Sequence, residues 1–176
     1  SIYHDNSMEA IQLGLSIPGS NGVEIDVQMD LNGRLWLFHD EILDKETNGT
    51  NCISSNTTEY LKTLRYLSIK NEKIIQLSQV PLNTYQDKLF FLDIKTWNNS
   101  SQSAVSMAEF KNALSLLNLP ANCVLILSNP TWISYFIPDF EVYFASDDFQ
   151  LGKEMLIEFT QLKGLAIRNN AVEVYQ

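Results

Sequence analysis

Two acidic residues lie within an apolar segment near the start of the chain. Residues 23–27 read Val-Glu-Ile-Asp-Val, and at the two-residue period of a β-strand Glu24 and Asp26 project from the same face. A carboxylate removed from water costs several kcal/mol of stability unless a cation or another partner compensates its charge. Two interpretations follow from this motif alone: the pair binds a cation, or the strand lies at a sheet edge and both acids face water.

A histidine follows the next apolar segment, residues 35–38, so that His39 stands at the carboxyl end of a predicted strand. Ligands of parallel α/β sheets bind at these ends. An imidazole titrates near neutral pH, which makes His39 a candidate general acid or base. The alternative is that His39 only caps a loop. His4, the other histidine, is expected to be solvated rather than catalytic.

A third charged pair ends the apolar segment 89–94, where Asp93 and Lys95 share one face at the strand period. The two residues form either an internal ion pair, which contributes little when exposed, or a metal ligand beside a lysine that binds an anionic substrate group. Charged residues at three strand ends within apolar sequence favour the second interpretation. Together Glu24, Asp26 and Asp93 supply oxygen ligands suited to a hard cation such as Ca²⁺ or Mg²⁺.

The elements that position these residues follow from the alternation of apolar and amphipathic segments. Short apolar segments predict strands at residues 23–27, 35–38, 89–94, 123–127, 142–145 and 165–167. Residues that cap helices precede apolar stripes at Asn6, at Thr57 or Thr58, at Ser106 and at Asp147 or Asp148. This alternation predicts an α/β fold with a mainly parallel sheet.

Two details qualify this pattern. Residues 29–34 are too few for a crossover helix between the first two strands, and the Asn32-Gly33 step predicts a tight turn there. The helix that begins after Thr57 or Thr58 is expected to carry its apolar stripe as far as Leu67.

Length and charge bound the functions that the chain can have. Its 176 residues suggest one domain, and 21 acidic against 12 basic residues give a net charge of −9. That charge argues against binding to nucleic acid or to an anionic membrane surface. No apolar run reaches the roughly 18 residues of a membrane span. Cys52 and Cys123 show no metal-ligand spacing and leave the compartment open between cytoplasmic, periplasmic and secreted.

Several of these motifs together resemble the glycerophosphodiester phosphodiesterase family. The motifs that carry the resemblance are residues 5–10, 22–27, 32–40, 42–49 and 92–95. Order and spacing agree over roughly the first 95 residues, and beyond residue 96 only the strand–helix rhythm is shared. The glutamate-x-aspartate motif, the glycine turn and the histidine-aspartate step are specific in combination.

The resemblance implies a TIM-type (β/α)8 barrel with its site at the carboxyl ends of the strands. A typical barrel has about 250 residues, so the first and last strands are expected to be absent and residues 1–176 to be a partial record of one such domain. The family's histidine-arginine-glycine segment, with a second catalytic histidine, is expected upstream of Ser1.

The resemblance also assigns roles to the residues singled out above. It implies that Glu24, Asp26 and Asp93 bind a divalent cation, Ca²⁺ or Mg²⁺, with Asp93 standing where the family usually has glutamate. It makes His39 one of two catalytic histidines and places Lys95 near the substrate phosphate.

The implied activity is the metal-dependent hydrolysis of a small-molecule glycerophosphodiester to glycerol 3-phosphate and an alcohol, in lipid metabolism. The family pattern implies that a substrate hydroxyl attacks phosphorus and that water then opens a cyclic phosphate. Two alternatives stay open: a catalytically degenerate relative that binds a phosphorylated ligand or a protein partner, and a phospholipase D-like lyase that acts on lipid head groups.

Overall fold

A single mixed sheet organises the described part of the chain, residues 2–96 and 105–167 of this computed structural model. Its strands are β1 (Gly22–Met29), β2 (Leu35–Leu37), β3 (Leu89–Ile94), β4 (Cys123–Leu127), β5 (Val142–Ala145) and β6 (Gly164–Ala166). The strand order is β2-β1-β3-β4-β5-β6, and every pair except β1–β2 is parallel. The predicted α/β fold with a mainly parallel sheet is confirmed.

Helices connect the parallel strands in this described part. They are α1 (Met8–Ser16), α2 (Thr58–Leu61), α3 (Met107–Leu116), α4 (Pro130–Phe136) and α5 (Phe149–Glu158). The excursion between β2 and β3 also contains short 3-10 turns at Leu43–Lys45, Ile53–Ser55, Leu77–Gln79 and Leu82–Thr84. None of the helices within residues 2–96 and 105–167 has the length and apolarity needed to cross a membrane.

The hairpin formed by β1 and β2 confirms the predicted turn. Val27 pairs with Leu37 and Met29 with Leu35, and Gly33 adopts a φ of +76°, which a glycine tolerates without strain. The hairpin lengthens β1 by two residues beyond the predicted strand, because an apolar segment gains backbone partners on its second edge.

A buried carboxylate fixes this hairpin. Asp30 is 3% exposed, and its Oδ1 accepts hydrogen bonds from the backbone N–H groups of Asn32 and Arg34 at 2.9 and 2.8 Å. Its Oδ2 accepts from Trp36 Nε1 at 2.8 Å and from Thr58 Oγ1 at 2.6 Å. The charge is therefore fully hydrogen-bonded, as burial requires.

Three of the predicted helix starts are confirmed, at Thr57, Ser106 and Asp148, whose side chains each accept a hydrogen bond from a backbone N–H group of the first turn. The expectation for Asn6 is wrong, since Ser7 caps α1 by accepting from Ala10 N at 3.1 Å. Asn6 instead adopts a left-handed conformation with a φ of 64°.

The expectation that the helix after Thr57 reaches Leu67 is also wrong. Helix α2 ends after one turn at Leu61, and Leu67 is 66% exposed. The apolar residues beyond the helix are held by non-local packing, because Leu64 and Tyr66 enter a second, smaller core. Tertiary contacts here override the local helical period.

The two cores divide the molecule between the sheet and the excursion that carries His39. The larger core lies between the sheet and its helices, with α1 packed on β1, α4 on β4 and β5, and α5 on β5 and β6. The smaller core consists of Trp36, Phe38, Leu43, Ile53, Leu61, Leu64, Tyr66 and Ile74. This second core holds the segment after β2 against the side of the sheet.

Candidate metal and catalytic site

The register of β1 against β3 brings the predicted carboxylates together. Asp26 and Asp93 are paired positions of these parallel strands, and one carboxylate oxygen of each lies within 4.8 Å of the others and of one from Glu24. Asp26 is buried, Asp93 is half-buried and Glu24 is exposed. The alternative of an edge strand with both acids in water is wrong, because β1 lies between β2 and β3 and Asp26 is 6% exposed.

The ammonium group of Lys95 lies between two of these carboxylates. Its Nζ is 2.9 Å from Asp26 Oδ1 and 2.6 Å from Asp93 Oδ2. Burial alone would lower the pKa of Lys95, but hydrogen bonds to Asp93 and Asp26 outweigh it and raise the pKa above its ordinary value. The ion pair considered from sequence therefore exists, and it lies within the carboxylate cluster.

The remaining acid carries the electrostatic cost of the cluster. Desolvation raises the pKa of Glu24 to about 7, and repulsion by Asp26 and Asp93 adds to this rise. One ammonium faces three carboxylates, so the cluster has room for further positive charge. Closely spaced carboxylate oxygens are the ligands of hard divalent cations, and the donor set fits Ca²⁺ or Mg²⁺.

His39 lies beside this cluster, on the other side of Glu24 from Asp93. A cavity of about 410 Å³ is lined by Glu24, Asp26, His39 and residues of the segment that leads into α1. His39 Nδ1 is 2.8 Å from Asp40 Oδ1, and this hydrogen bond raises the pKa of the imidazole above its ordinary 6.5 against the opposing effect of burial. The geometry thus gives His39 a partner and a cavity as well as its place after β2.

A second cavity of about 500 Å³ lies over the carboxyl ends of the parallel strands. It is lined by Glu24, Asp93 and Lys95 and, farther along the sheet, by residues that include Ser128 and Ser146. Glu24 lines both cavities, so the carboxylate cluster separates a space beside His39 from a space beside Lys95.

Two buried amides support the site, and the sequence analysis did not assign either of them to it. Asn6 Nδ2 donates to Asp26 Oδ2 at 2.7 Å, and Asn6 Oδ1 accepts from the backbone N–H of Asp26 at 3.0 Å. Gln28 Nε2 donates to the carbonyl oxygens of Phe38 and Asp40, each at 2.8 Å. The signal for Gln28 was present, since it continues the two-residue period of the acids on β1. No local signal marked Asn6 as a partner of Asp26.

The expectation that His4 is solvated is wrong. Its ring stacks on Tyr66 with a centroid distance of 3.7 Å, and its Nε2 is 3.4 Å from Glu46 Oε2. Its backbone N–H donates to Glu72 Oε1 at 3.1 Å. Burial, with repulsion by Asp40, raises the pKa of Glu46. His4 is enclosed because the second core presents an aromatic face that lies far from it in sequence.

The fold and the site define a class of protein. This is an α/β chain with an acidic cluster, a lysine and a histidine at the carboxyl ends of parallel strands, where α/β enzymes bind their ligands. The model of the glycerophosphoryl diester phosphodiesterase family matches residues 1–175. The chain belongs to this family.

Curated relatives match over part of the chain. A glycerophosphodiester phosphodiesterase of Caldanaerobacter subterraneus subsp. tengcongensis is 35% identical over 60 residues, and one of Bacillus altitudinis is 40% identical over 60 residues. Each match covers 34% of this chain and 24% of the relative, so the aligned part is about a quarter of the relative's length.

Solved structures match over nearly the whole chain. A glycerophosphoryl diester phosphodiesterase structure from Agrobacterium tumefaciens aligns with a TM-score of 0.77 at 14% identity, covering 97% of this chain and 72% of that one. The Thermotoga maritima enzyme gives 0.72 at 22% identity, covering 98% and 74%. A phosphodiesterase of Oleispira antarctica in complex with the product sn-glycerol-3-phosphate gives 0.72 at 21% identity, covering 92% and 68%.

These neighbours confirm the TIM-type barrel fold. The strands described here form a six-stranded, mainly parallel part of such a barrel, in which β2 and β6 stand at the two ends of the strand order.

Proposed function

We propose that the protein carrying this chain hydrolyses glycerophosphodiesters to glycerol 3-phosphate and an alcohol with the help of Ca²⁺ or Mg²⁺. The observation that carries the proposal is the cluster of Glu24, Asp26 and Asp93 within 4.8 Å, beside Lys95 and His39, in a chain of this family. The product bound to the Oleispira antarctica phosphodiesterase supports the choice of glycerol 3-phosphate.

The three carboxylates would hold the cation. Asp26 and Asp93 are fixed by the register of their strands, and Glu24 approaches them from the exposed side of the cluster. A bound divalent cation neutralises phosphate charge and lowers the pKa of a hydroxyl bound to it.

Lys95 would bind a non-bridging oxygen of the phosphate. The raised pKa of Lys95 keeps the ammonium charged, and the residue lines the larger cavity together with Asp93. A charge at this place favours the phosphate dianion-like charge distribution that develops during transfer. The cavity of about 500 Å³ is of the size that proteins use for small ligands.

His39 would transfer the proton. Its Nδ1 is engaged by Asp40, which leaves Nε2 as the nitrogen that exchanges a proton with a substrate oxygen. The raised pKa of His39 favours its action as an acid toward the leaving alcohol near neutral pH.

The test is an assay of the full-length protein that carries this chain. Release of glycerol 3-phosphate from glycerophosphocholine and glycerophosphoethanolamine is measured by a coupled dehydrogenase reaction, with Ca²⁺, with Mg²⁺ and with a chelator. We expect turnover with one of the cations and at least a hundredfold loss with the chelator or in Asp26→Asn. Glu158→Gln, which removes an exposed carboxylate of α5, should retain full activity.

The same assay separates the alternatives. Undiminished turnover in the chelator contradicts the proposed metal dependence. A cyclic phosphate that persists as the end product favours the lyase, and saturable binding of glycerophosphodiester without turnover favours the degenerate relative. Either result contradicts the proposed hydrolysis.

A further inference from the structure

We propose that the two buried amides Asn6 and Gln28 are positioning residues that divide the site between them: Asn6 orients Asp26 toward the cation, and Gln28 fixes the backbone that carries His39. The inference rests on the proposed function, because it takes Asp26 as a cation ligand and His39 as the proton-transfer group. It assigns roles to two residues of this chain that neither touch the phosphate nor ligate the cation.

Asn6 makes a two-point contact with a single residue. Its side-chain amide donates to Asp26 Oδ2 at 2.7 Å and accepts from the backbone N–H of Asp26 at 3.0 Å, and the residue is 7% exposed. A rotation of the Asp26 carboxylate would leave the buried amide without its acceptor, which costs about 1–3 kcal/mol. The contact therefore holds one carboxylate orientation.

That orientation decides which oxygen of Asp26 is available. Oδ2 is held by a neutral amide, whereas Oδ1 is held by the ammonium of Lys95 at 2.9 Å. A cation competes with the positive charge of Lys95 and not with the amide, so Oδ1 is the oxygen that can pass from lysine to cation. Asn6 is thus the fixed support and Lys95 the exchangeable partner.

The backbone at Asn6 makes this contact possible. The left-handed φ of 64° is a conformation that asparagine tolerates better than most residues, and it directly precedes Ser7, the cap of α1. The start of α1 is thereby joined to the middle of β1 by a side chain twenty positions away in sequence.

Gln28 performs the corresponding task on the other side of Asp26. It is 4% exposed, lies two positions beyond Asp26 on the same strand face, and donates to the carbonyl oxygens of Phe38 and Asp40 at 2.8 Å each. These carbonyls flank His39, whose side chain is 57% exposed and has little packing of its own. The placement of His39 therefore depends on its backbone, which one amide holds on both sides.

The division predicts separable effects of two substitutions. Asn6→Gly keeps the left-handed backbone and removes both contacts to Asp26, and Gln28→Met keeps the length of the side chain and removes its donor. Outer partners of metal ligands typically change metal affinity by about 10–100-fold. We expect Asn6→Gly to weaken Ca²⁺ binding about tenfold and to leave the titration of His39 unchanged.

Gln28→Met should give the opposite result. Ca²⁺ affinity should stay within about twofold of the wild-type value, while kcat falls at least about tenfold at unchanged KM. The imidazole resonance of His39 should titrate at lower pH, because a displaced backbone weakens the hydrogen bond to Asp40. Gln28→Asn, whose amide is one methylene too short, serves as a second variant should Gln28→Met not fold.

The measurements are calorimetric titration with Ca²⁺ below the unfolding temperature, NMR titration of the imidazoles of the folded protein, and steady-state kinetics. Asn118→Gly is the matched control, since Asn118 also has a left-handed backbone, with a φ of 47°, but lies at the end of α3. It should leave all three readouts at wild-type values.

The outcomes separate this inference from the proposed function. Wild-type protein that binds neither Ca²⁺ nor Mg²⁺ contradicts the proposed function and, with it, the role of Asn6. Wild-type binding that is unchanged in Asn6→Gly overturns only the inference. Variants that each shift both Ca²⁺ affinity and the His39 titration by similar factors would mean a general structural role and would also overturn it.

Discussion

Asp26 and Asp93 are paired positions on adjacent parallel strands, and Lys95 Nζ lies 2.9 Å from an oxygen of the first and 2.6 Å from an oxygen of the second. The pairing places two carboxylates where neither can move away without breaking the strand ladder. One ammonium compensates part of their charge, and Glu24 adds a third carboxylate that keeps its proton up to a pKa of about 7. A cation that binds here therefore competes with Lys95 and with the proton on Glu24.

The first prediction concerns stability in the presence of cations. Ca²⁺ or Mg²⁺ should raise the midpoint of thermal unfolding, because a ligand that binds only the folded state stabilises it by about 2.7 kcal/mol at a hundredfold excess over Kd. The shift should disappear in Asp93→Asn and persist in Glu158→Gln, measured by scanning calorimetry. A wild-type midpoint that ignores both cations would contradict the carboxylate cluster as a cation site.

The second prediction concerns Lys95. Lys95→Met should tighten Ca²⁺ binding by roughly tenfold, because it removes a positive charge in direct contact with Asp26 and Asp93. The same substitution should raise KM for the phosphodiester, because the phosphate loses its ammonium partner. Calorimetry and kinetics measure the two effects, with Lys70→Met as an exposed control. Weaker Ca²⁺ binding in Lys95→Met would show that lysine does not compete with the cation.

The third prediction concerns His39. His39→Ala should lower kcat at least about a hundredfold, which is within the usual contribution of a general acid or base. Ca²⁺ affinity should stay near normal, because no carboxylate of the cluster depends on the imidazole. His4→Gln, at the only other histidine of the sequence, should keep turnover within a few-fold of wild type. Retained turnover in His39→Ala would refute the assignment of the proton-transfer group.

The fourth prediction concerns pH. The hydrogen bond to Asp40 raises the pKa of His39 above 6.5, so the stabilisation by this pair is present below that pH and is lost as the pH rises through the folded-state pKa. Asp40→Asn should lower the pKa of His39, as measured by NMR. Its loss of stability relative to wild type should be larger near about pH 6 than near about pH 9. A loss that grows toward high pH would contradict this sign.

The fifth prediction concerns the approach of β1 to β3. A Cβ atom on Gly22 would lie 2.1 Å from the backbone oxygen of Leu89, so Gly22→Ala must push the two strands apart. We expect a loss of about 3 kcal/mol in the free energy of unfolding, measured in urea. Gly19→Ala meets no atom within 4 Å and should lose only about 1 kcal/mol through its left-handed φ of 83°. Equal losses would contradict the close approach.

Much of the fold could be predicted because its signals are local. Three strands, β3, β4 and β5, have the bounds that their apolar segments predicted, since a buried parallel strand needs continuous apolar sequence. The helix caps at Ser106 and Asp148 are likewise readable within a few residues. Helix α2 stopped short because Leu64 and Tyr66 pack into the second core, and no local period records that contact.

The candidate site could be predicted in part for the same reason. Glu24 and Asp26 share a face by the geometry of any strand, and Asp93 and Lys95 do so as well. The roles of Asn6 and His4 could not be read, because their partners Asp26 and Tyr66 are distant in sequence. Asparagine before a helix and histidine in a leading segment have many local explanations.

The sequence by itself determined which residues carry charge into apolar strands and which faces those residues share, because strand geometry alone dictates side-chain alternation. Only the tertiary structure decided that Asp26 pairs with Asp93, that Lys95 lies between them, and that two amides hold Asp26 and the backbone of His39. Register and long-range hydrogen bonds depend on how separate segments pack, and that packing is a property of the whole chain.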